Sequence, residues 1–117
     1  VVINENVAHG EEDSVINNLF ERKERFDGIF VSGCTLAELL YEKVKLANIK
    51  IPEELQIISY DGEFLKEGFN HLTTLEQPIK RMAKRCVDLL IKVINHEENI
   101  KMMNMFDCHF IKGESTK

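Results

Sequence analysis

Apolar positions recur along this chain at two spacings, one helical and one extended, and the two alternate. Between Glu11 and Lys23, Val15, Ile16, Leu19 and Phe20 share one side of a helical period behind an acidic start. Phe26-Asp27-Gly28-Ile29-Phe30-Val31 then reads as a buried strand, rich in aromatic and β-branched residues. Ser32-Gly33-Cys34 reads as a turn, and Thr35-Leu36-Ala37-Glu38 has the make-up of a capping box. There Thr35 would accept from the backbone at Glu38 while the Glu38 side chain reaches back. The helix that follows turns Leu36, Leu39, Leu40, Val44 and Ala47 towards a core; Asn48 closes it and Ile51-Pro52 cannot continue it. Leu55 to Tyr60 reads as a second buried strand, stopped by Asp61-Gly62. After an irregular stretch from Glu63 to His71, Leu72 to Glu76 is extended and Pro78 suits a first helical position. Ile79, Met82, Ala83, Cys86, Leu90, Val93 and Ile94 then form an apolar stripe that runs to Asn95. Val1 to Asn4 and Phe106 to Lys112 complete the set as short strands.

Strands alternating with helices at this spacing predict an α/β fold, a mainly parallel sheet flanked by helices. In such sheets ligands bind beyond the carboxyl ends of the strands. Two segments occupy those positions: Ser32 to Thr35 after one strand and Tyr60 to Glu63 after the next.

Composition narrows the function classes. With 117 residues, 44% of them hydrophobic and 30% charged, the chain has the make-up of one ordinary globular unit. Its net charge of −5 argues against binding nucleic acid by itself, because phosphate contacts demand a basic surplus. No run approaches the roughly 20 apolar residues of a membrane span. Val1 to Glu5 carries neither the basic start nor the apolar stretch of a signal peptide. Three widely spaced cysteines, Cys34, Cys86 and Cys108, do not form a disulfide framework, so a reducing cytoplasm is expected.

Catalytic and metal chemistry find little support. Cys34 sits at a helix start that favours a thiolate, yet none of His9, His71, His96 and His109 forms a recognisable motif with it. Cys108-His109 are adjacent and, in a strand, point to opposite faces, so no metal is expected. A small Rossmann-type or receiver-like enzyme centred on Asp61 would want a Gly-rich phosphate loop or clustered acids, and Gly28, Gly33 and Gly62 supply neither. Lys80, Arg81, Lys84 and Arg85 read as a solvated helix face. The expectation is a binding module, neither an enzyme nor the holder of a cofactor.

Three blocks carry a family resemblance. Phe26 to Ser32 with the helix near Thr35, Asn48-Ile49-Lys50-Ile51-Pro52-Glu53-Glu54-Leu55-Gln56-Ile57-Ile58-Ser59-Tyr60-Asp61, and Leu72-Thr73-Thr74-Leu75-Glu76-Gln77-Pro78-Ile79 with Met82-Ala83 and Val87-Asp88-Leu89-Leu90 follow in order. A closing Ser115-Thr116 makes a fourth. Together they resemble the effector-sensing domain of the lactose/galactose repressor family. The resemblance implies one lobe of a periplasmic-binding-protein-like (type I) two-lobed sensor. Residues 1–76 and 106–117 would build the C-terminal lobe and residues 77–96 a helix of the other lobe. It further implies a small-molecule effector, often a sugar, and control of a sugar operon, of sucrose or another sugar. Homodimerisation is implied too, with operator DNA contacted through an N-terminal helix-turn-helix domain outside this chain. A sugar-binding protein of an ABC transporter shares the fold and is the nearest alternative. The chain departs from the family where Gly33-Cys34 replaces an Asn-Asp pair, where Gly62 follows Asp61 in place of a second Asp, and where Lys112 stands near the usual Arg.

The candidate ligand residues are Ser32, Gly33, Cys34, Thr35, Tyr60 and Asp61. Asp61 could accept two sugar hydroxyls or merely cap its turn, and Tyr60 offers a ring face and a hydroxyl. The first rim offers helix-start amides and two hydroxyls, or a simple cap. Apolar residues in the Glu63–Asn70 loop suggest an interface. The resemblance implies that this loop and the helix from Thr35 lie at the dimer contact, which makes Leu39, Lys43, Phe64, Leu65 and Phe69 the candidate dimer contacts, against a loop that covers its own core.

Overall fold

A computed structural model describes residues 10–23 and 26–117; the strand expected at Val1–Asn4 lies outside the described residues. Helix α1 spans Glu12–Glu21, strand β1 Gly28–Val31, helix α2 Cys34–Leu46 and strand β2 Gln56–Tyr60. A 3-10 turn at Gly62–Phe64 leads on to strand β3, Thr73–Glu76, helix α3, Ile79–Ile94, and strand β4, His109–Ile111. The sheet order is β1-β2-β3-β4, with β1, β2 and β3 parallel and β4 antiparallel to β3. This is the mainly parallel α/β arrangement that the sequence predicts.

One face of the sheet carries the core. Register aligns Ile29 with Ile57 and Val31 with Ser59. Beneath α2, Ala37, Leu40 and Val44 are buried with Val31, Leu55, Ile57, Leu72 and with Ile16 of α1. Leu19, Phe20, Leu36 and Leu39 pack partly against them, as the helical stripes foretold; Ala47 is exposed. The other face is covered only in part, with Thr73 buried beside Thr116. Phe30 and Phe110 remain 57% and 56% exposed there, so β1 and β2 are half-buried strands and not the fully buried ones their composition suggested. An apolar run says that a strand prefers burial; it does not say whether a second layer is at hand.

Two local predictions resolve differently. Asn48 closes α2 in the left-handed region (φ 57), with its own N–H on the Lys45 carbonyl and Ile49 N–H on that of Val44, the Schellman pattern. The capping box, however, does not form. The helix begins two residues earlier than that box requires, at Cys34, with Gly33 as its N-cap and no side-chain capping bond. Glu38 is buried and turned to Lys66, since a carboxylate that can meet both an amide and an ammonium gains more there than at a solvated helix start.

The C-terminal segment is stitched between β2 and β3. Ser115, with no exposed surface, donates from Oγ to the Ile57 carbonyl (2.6 Å), accepts from Thr73 N–H (2.8 Å), and offers its carbonyl to Ile57 N–H (3.0 Å). Thr116 meets the Thr73 hydroxyl at 2.8 Å, and Gly113 N–H donates to the same hydroxyl at 3.0 Å. A Cβ on Gly113 would collide with the His71 carbonyl oxygen and lie 2.7 Å from the Leu72 carbonyl carbon. Helix α3 is the contrast: it is strongly amphipathic, yet none of its residues is buried. Its return segment braces it through Arg85 Nε on Asn104 Oδ1 (2.8 Å) and Arg81 above the Phe106 ring (5.8 Å).

Candidate functional site

Three adjacent parallel strands end on one edge, and the residue that follows each is polar or turn-forming. β1 delivers Ser32 and Gly33 to the start of α2, β2 ends at Tyr60 and hands on to Asp61, and β3 ends at Glu76 and hands on to Gln77. Because β1 pairs with β2 and β2 with β3, these ends are neighbours in space although up to 45 residues separate Ser32 from Gln77. The tertiary fold thus brings both predicted rims together.

At the first rim Gly33 adopts φ 129, a conformation that a side chain resists, so this position offers backbone only. Cys34 is half-buried, while Ser32 and Thr35 are exposed. No side chain caps the first amides of α2, which leaves donors at the positive end of the helix dipole facing this edge.

The second rim is more tightly built. Asp61 sits in the left-handed region (φ 62, ψ 48), and its N–H donates to the Leu75 carbonyl at 2.8 Å. Its carboxylate does not cap the turn; it accepts from Gln77 Nε2 at 2.9 and 3.0 Å. An ionised carboxylate has about four lone-pair positions, so Gln77 orients Asp61 and leaves acceptors for a hydroxyl-bearing ligand. Gln77 is the residue that the reading of single positions missed. Its signal was the Gln-Pro pair before a helix, but nothing local shows that it reaches back to Asp61. Gly62 is dictated by packing: a Cβ there would run into the Thr74 side chain, 2.6 Å from its Oγ1 and 2.7 Å from its Cβ. A second Asp in its place has no room.

Tyr60 turns to the partly covered sheet face, edge-on to Phe30 with ring centroids 6.3 Å apart. Its hydroxyl lies 3.8 Å from Cys108 Sγ. That contact, then partial desolvation and the charges of Cys108 and Asp61, raises the phenol above its ordinary value. Two clefts lie elsewhere, one of about 400 Å³ lined by Phe20, Phe26 and Leu55 and one of about 500 Å³ lined by Tyr41, Phe69 and His71.

The candidate dimer residues separate. Phe64 is 58% exposed, whereas Leu39, Leu65 and Phe69 pack against the core. Lys43 is engaged at the surface with helix α1 of its own chain, 3.2 Å from the Asp13 carboxylate and 3.4 Å from Asn17 Oδ1.

Comparison with known proteins bears on this architecture. Residues 2–116 match the periplasmic binding protein-like domain family. The sucrose operon repressor of Streptococcus mutans is 43% identical over 81 residues, 68% of this chain and 25% of that protein. The chain belongs to the periplasmic binding protein-like domain family, and the relatives it resembles include LacI-type transcription regulators. Among solved structures, a periplasmic binding protein/LacI transcriptional regulator from Alkaliphilus metalliredigens, complexed with D-xylulofuranose, is 31% identical, with a TM-score of 0.66 over 97% of this chain and 39% of that one. The transcription regulator CcpA of Lactococcus lactis shares the fold at a TM-score of 0.79 and 24% identity, over 96% of this chain and 41% of that one. The chain spans about a quarter of the length of the sucrose operon repressor that it matches. These relatives are transcription regulators.

Proposed function

We propose that this chain is the larger part of the C-terminal effector lobe of a transcriptional repressor, sensing a sugar and relaying its occupancy to operator DNA through a dimer. The observation that carries the reading is the convergence of Ser32–Thr35, Tyr60–Asp61 and Gln77 at three neighbouring strand ends, where α/β folds of this kind hold ligands. Asp61, oriented by Gln77, is the hydroxyl acceptor. The amides opening α2 are the donors opposite, and Tyr60 supplies an apolar ring edge beside them. A sugar, dense in hydroxyls and bare of charge, matches this mixture of acceptor, donors and ring.

Helix α3, residues 79–94, with an apolar stripe left open, belongs in this reading to the other lobe. In this reading exposed Phe64 lies on the dimer side, with Leu39, Lys43, Leu65 and Phe69 as the other candidate contacts. The repressors among its relatives support this reading over a transporter's sugar-binding protein, and in this reading the protein works on DNA in the cytoplasm. Effector binding would act by favouring one arrangement of the lobes over another, so that operator affinity follows sugar affinity. The test is operator binding by the full-length regulator titrated with sucrose and then with a panel of mono- and disaccharides. The expected result is a saturable change in operator affinity with at least one sugar, abolished by Asp61→Ala. Operator binding indifferent to every sugar would overturn the proposal.

A further inference from the structure

Glu38 is a buried charge that the ligand-facing residues do not explain. It lies one turn into α2 and is 4% exposed. Its Oε1 accepts the backbone N–H of Lys66 at 2.7 Å, and its Oε2 faces the Lys66 ammonium at 2.9 Å. A buried carboxylate persists only where partners offset its lost hydration, and here one residue of a loop supplies both partners. Glu42, one turn further along α2, is exposed and adds its field at Lys66 from outside.

The two ends of this contact lead to the two rims. Four residues before Glu38 stands Cys34, the first residue of α2; five before Lys66 stands Asp61. The segment from Asp61 to Lys66 is fixed at its start by Asp61 N–H on Leu75 and by Gln77 on the carboxylate. It is fixed within by Phe64 N–H on Asp61 (3.1 Å) and Leu65 N–H on Gly62 (3.1 Å), and Gly62 is wedged against Thr74. At its far end the tie to α2 is Glu38. The segment is therefore a short bar between β3 and α2. Beyond it, Phe69 N–H bonds the Lys66 carbonyl, and its ring stands edge-on to Tyr41 at 5.8 Å.

We propose that Glu38 is a positioning residue for the effector: by gripping Lys66 it sets the spacing between the Ser32–Thr35 rim and the Tyr60–Asp61 rim without touching the ligand. The proposal rests on the reading that these strand ends hold the effector, and its test keeps the two apart. Spin labels on Cys34 and on Glu63→Cys, in a background of Cys86→Ser and Cys108→Ser, report the distance between the rims in the folded 117-residue chain. The wild type is expected to give one narrow distribution. Glu38→Ala broadens it, and Glu38→Gln, whose amide oxygen can still accept from Lys66 N–H, falls between. A Glu38→Ala distribution equal to the wild type overturns the proposal; where that variant does not fold, an unchanged Glu38→Gln distribution does.

The consequence is read in the full-length regulator with sucrose as the probe. Glu38→Ala is expected to weaken binding about two- to thirtyfold, the range of mutations that modulate coupling without touching a ligand. Asp61→Asn is measured beside it. Loss of affinity in both variants supports the proposal, and loss in Asp61→Asn alone overturns it. If Asp61→Asn binds normally while Glu38→Ala broadens the distance, the strand-end reading fails and the strut between α2 and the loop stands.

Discussion

Ser115→Ala removes one oxygen from the interior of this fold and should cost a large share of its stability. The Ser115 hydroxyl donates to the Ile57 carbonyl at 2.6 Å and accepts from Thr73 N–H at 2.8 Å, at a residue without exposed surface. Register pairs Ile58 with Thr73, so β3 has only begun where Ser115 bonds Ile57, and the serine extends the sheet by one link. Truncation leaves one backbone donor and one acceptor without those partners and out of reach of bulk water. Each buried group left unmet costs about 1–3 kcal/mol, so the pair costs about 2–6 kcal/mol. A chain of this size has a total stability on the order of 10 kcal/mol, so the loss is a large fraction of it. Urea unfolding followed by circular dichroism measures it. With a slope of about 2 kcal/mol/M, the midpoint should fall by about 1–3 M at unchanged slope. Thr116→Val, which loses one contact with the partly buried pair at Thr73, should shift it by less than half as much. A Ser115→Ala midpoint within about 0.2 M of the wild type would refute the reasoning.

Gly113→Ala drives a Cβ into the His71 carbonyl, which is backbone and cannot swing away; a loss of about 1–3 kcal/mol is expected in the same assay. Asn48→Ala keeps the Schellman bonds but puts alanine at φ 57, for a loss of about 1 kcal/mol, whereas Asn48→Gly should be neutral or slightly stabilising. Stability should also depend on pH through Glu38. Burial pushes its carboxyl up, but the Lys66 amide, then the Lys66 ammonium and its charge, outweigh burial and hold it below the ordinary 4.5. A depressed folded value means that the contribution is complete above pH 4.5 and is lost as pH falls through the folded value. Thermal unfolding from pH 7 down to pH 3 should therefore show a steeper decline for the wild type than for Glu38→Gln, and parallel curves would count against the assignment.

Much of the architecture was legible in the order of apolar positions. The helical stripe of Val15, Ile16, Leu19 and Phe20 and the runs ending at Val31 and Tyr60 gave the α/β alternation, and that alternation alone pointed to the strand ends as the site. Asn48 announced the end of α2 because few residues adopt φ 57 readily. Thr35 and Glu38 misled, because the capping-box spacing is a local pattern and the competing partner, Lys66, lies 28 residues further on. Gln77 and Ser115 were equally hidden: their partners are 16 and 58 residues away, and no periodicity records a contact across that distance.

What the sequence by itself determined, then, is whatever depends on neighbours within a turn or a strand: element types, the helix stop at Asn48, the acidic balance that argues against DNA binding by this chain alone, and the ordered blocks of a sensor family. The tertiary structure alone decided which groups meet. Sheet register set Tyr60 beside Phe30 and the three strand ends side by side, and the return of the C-terminus placed Ser115 between β2 and β3. Close packing disfavours a side chain at Gly62 and Gly113, against the Thr74 side chain at the first and the backbone of His71 and Leu72 at the second. Hydrophobic periodicity is a property of the chain, while hydrogen-bond partnership and excluded volume are properties of the folded object, and the candidate site is made of the second kind.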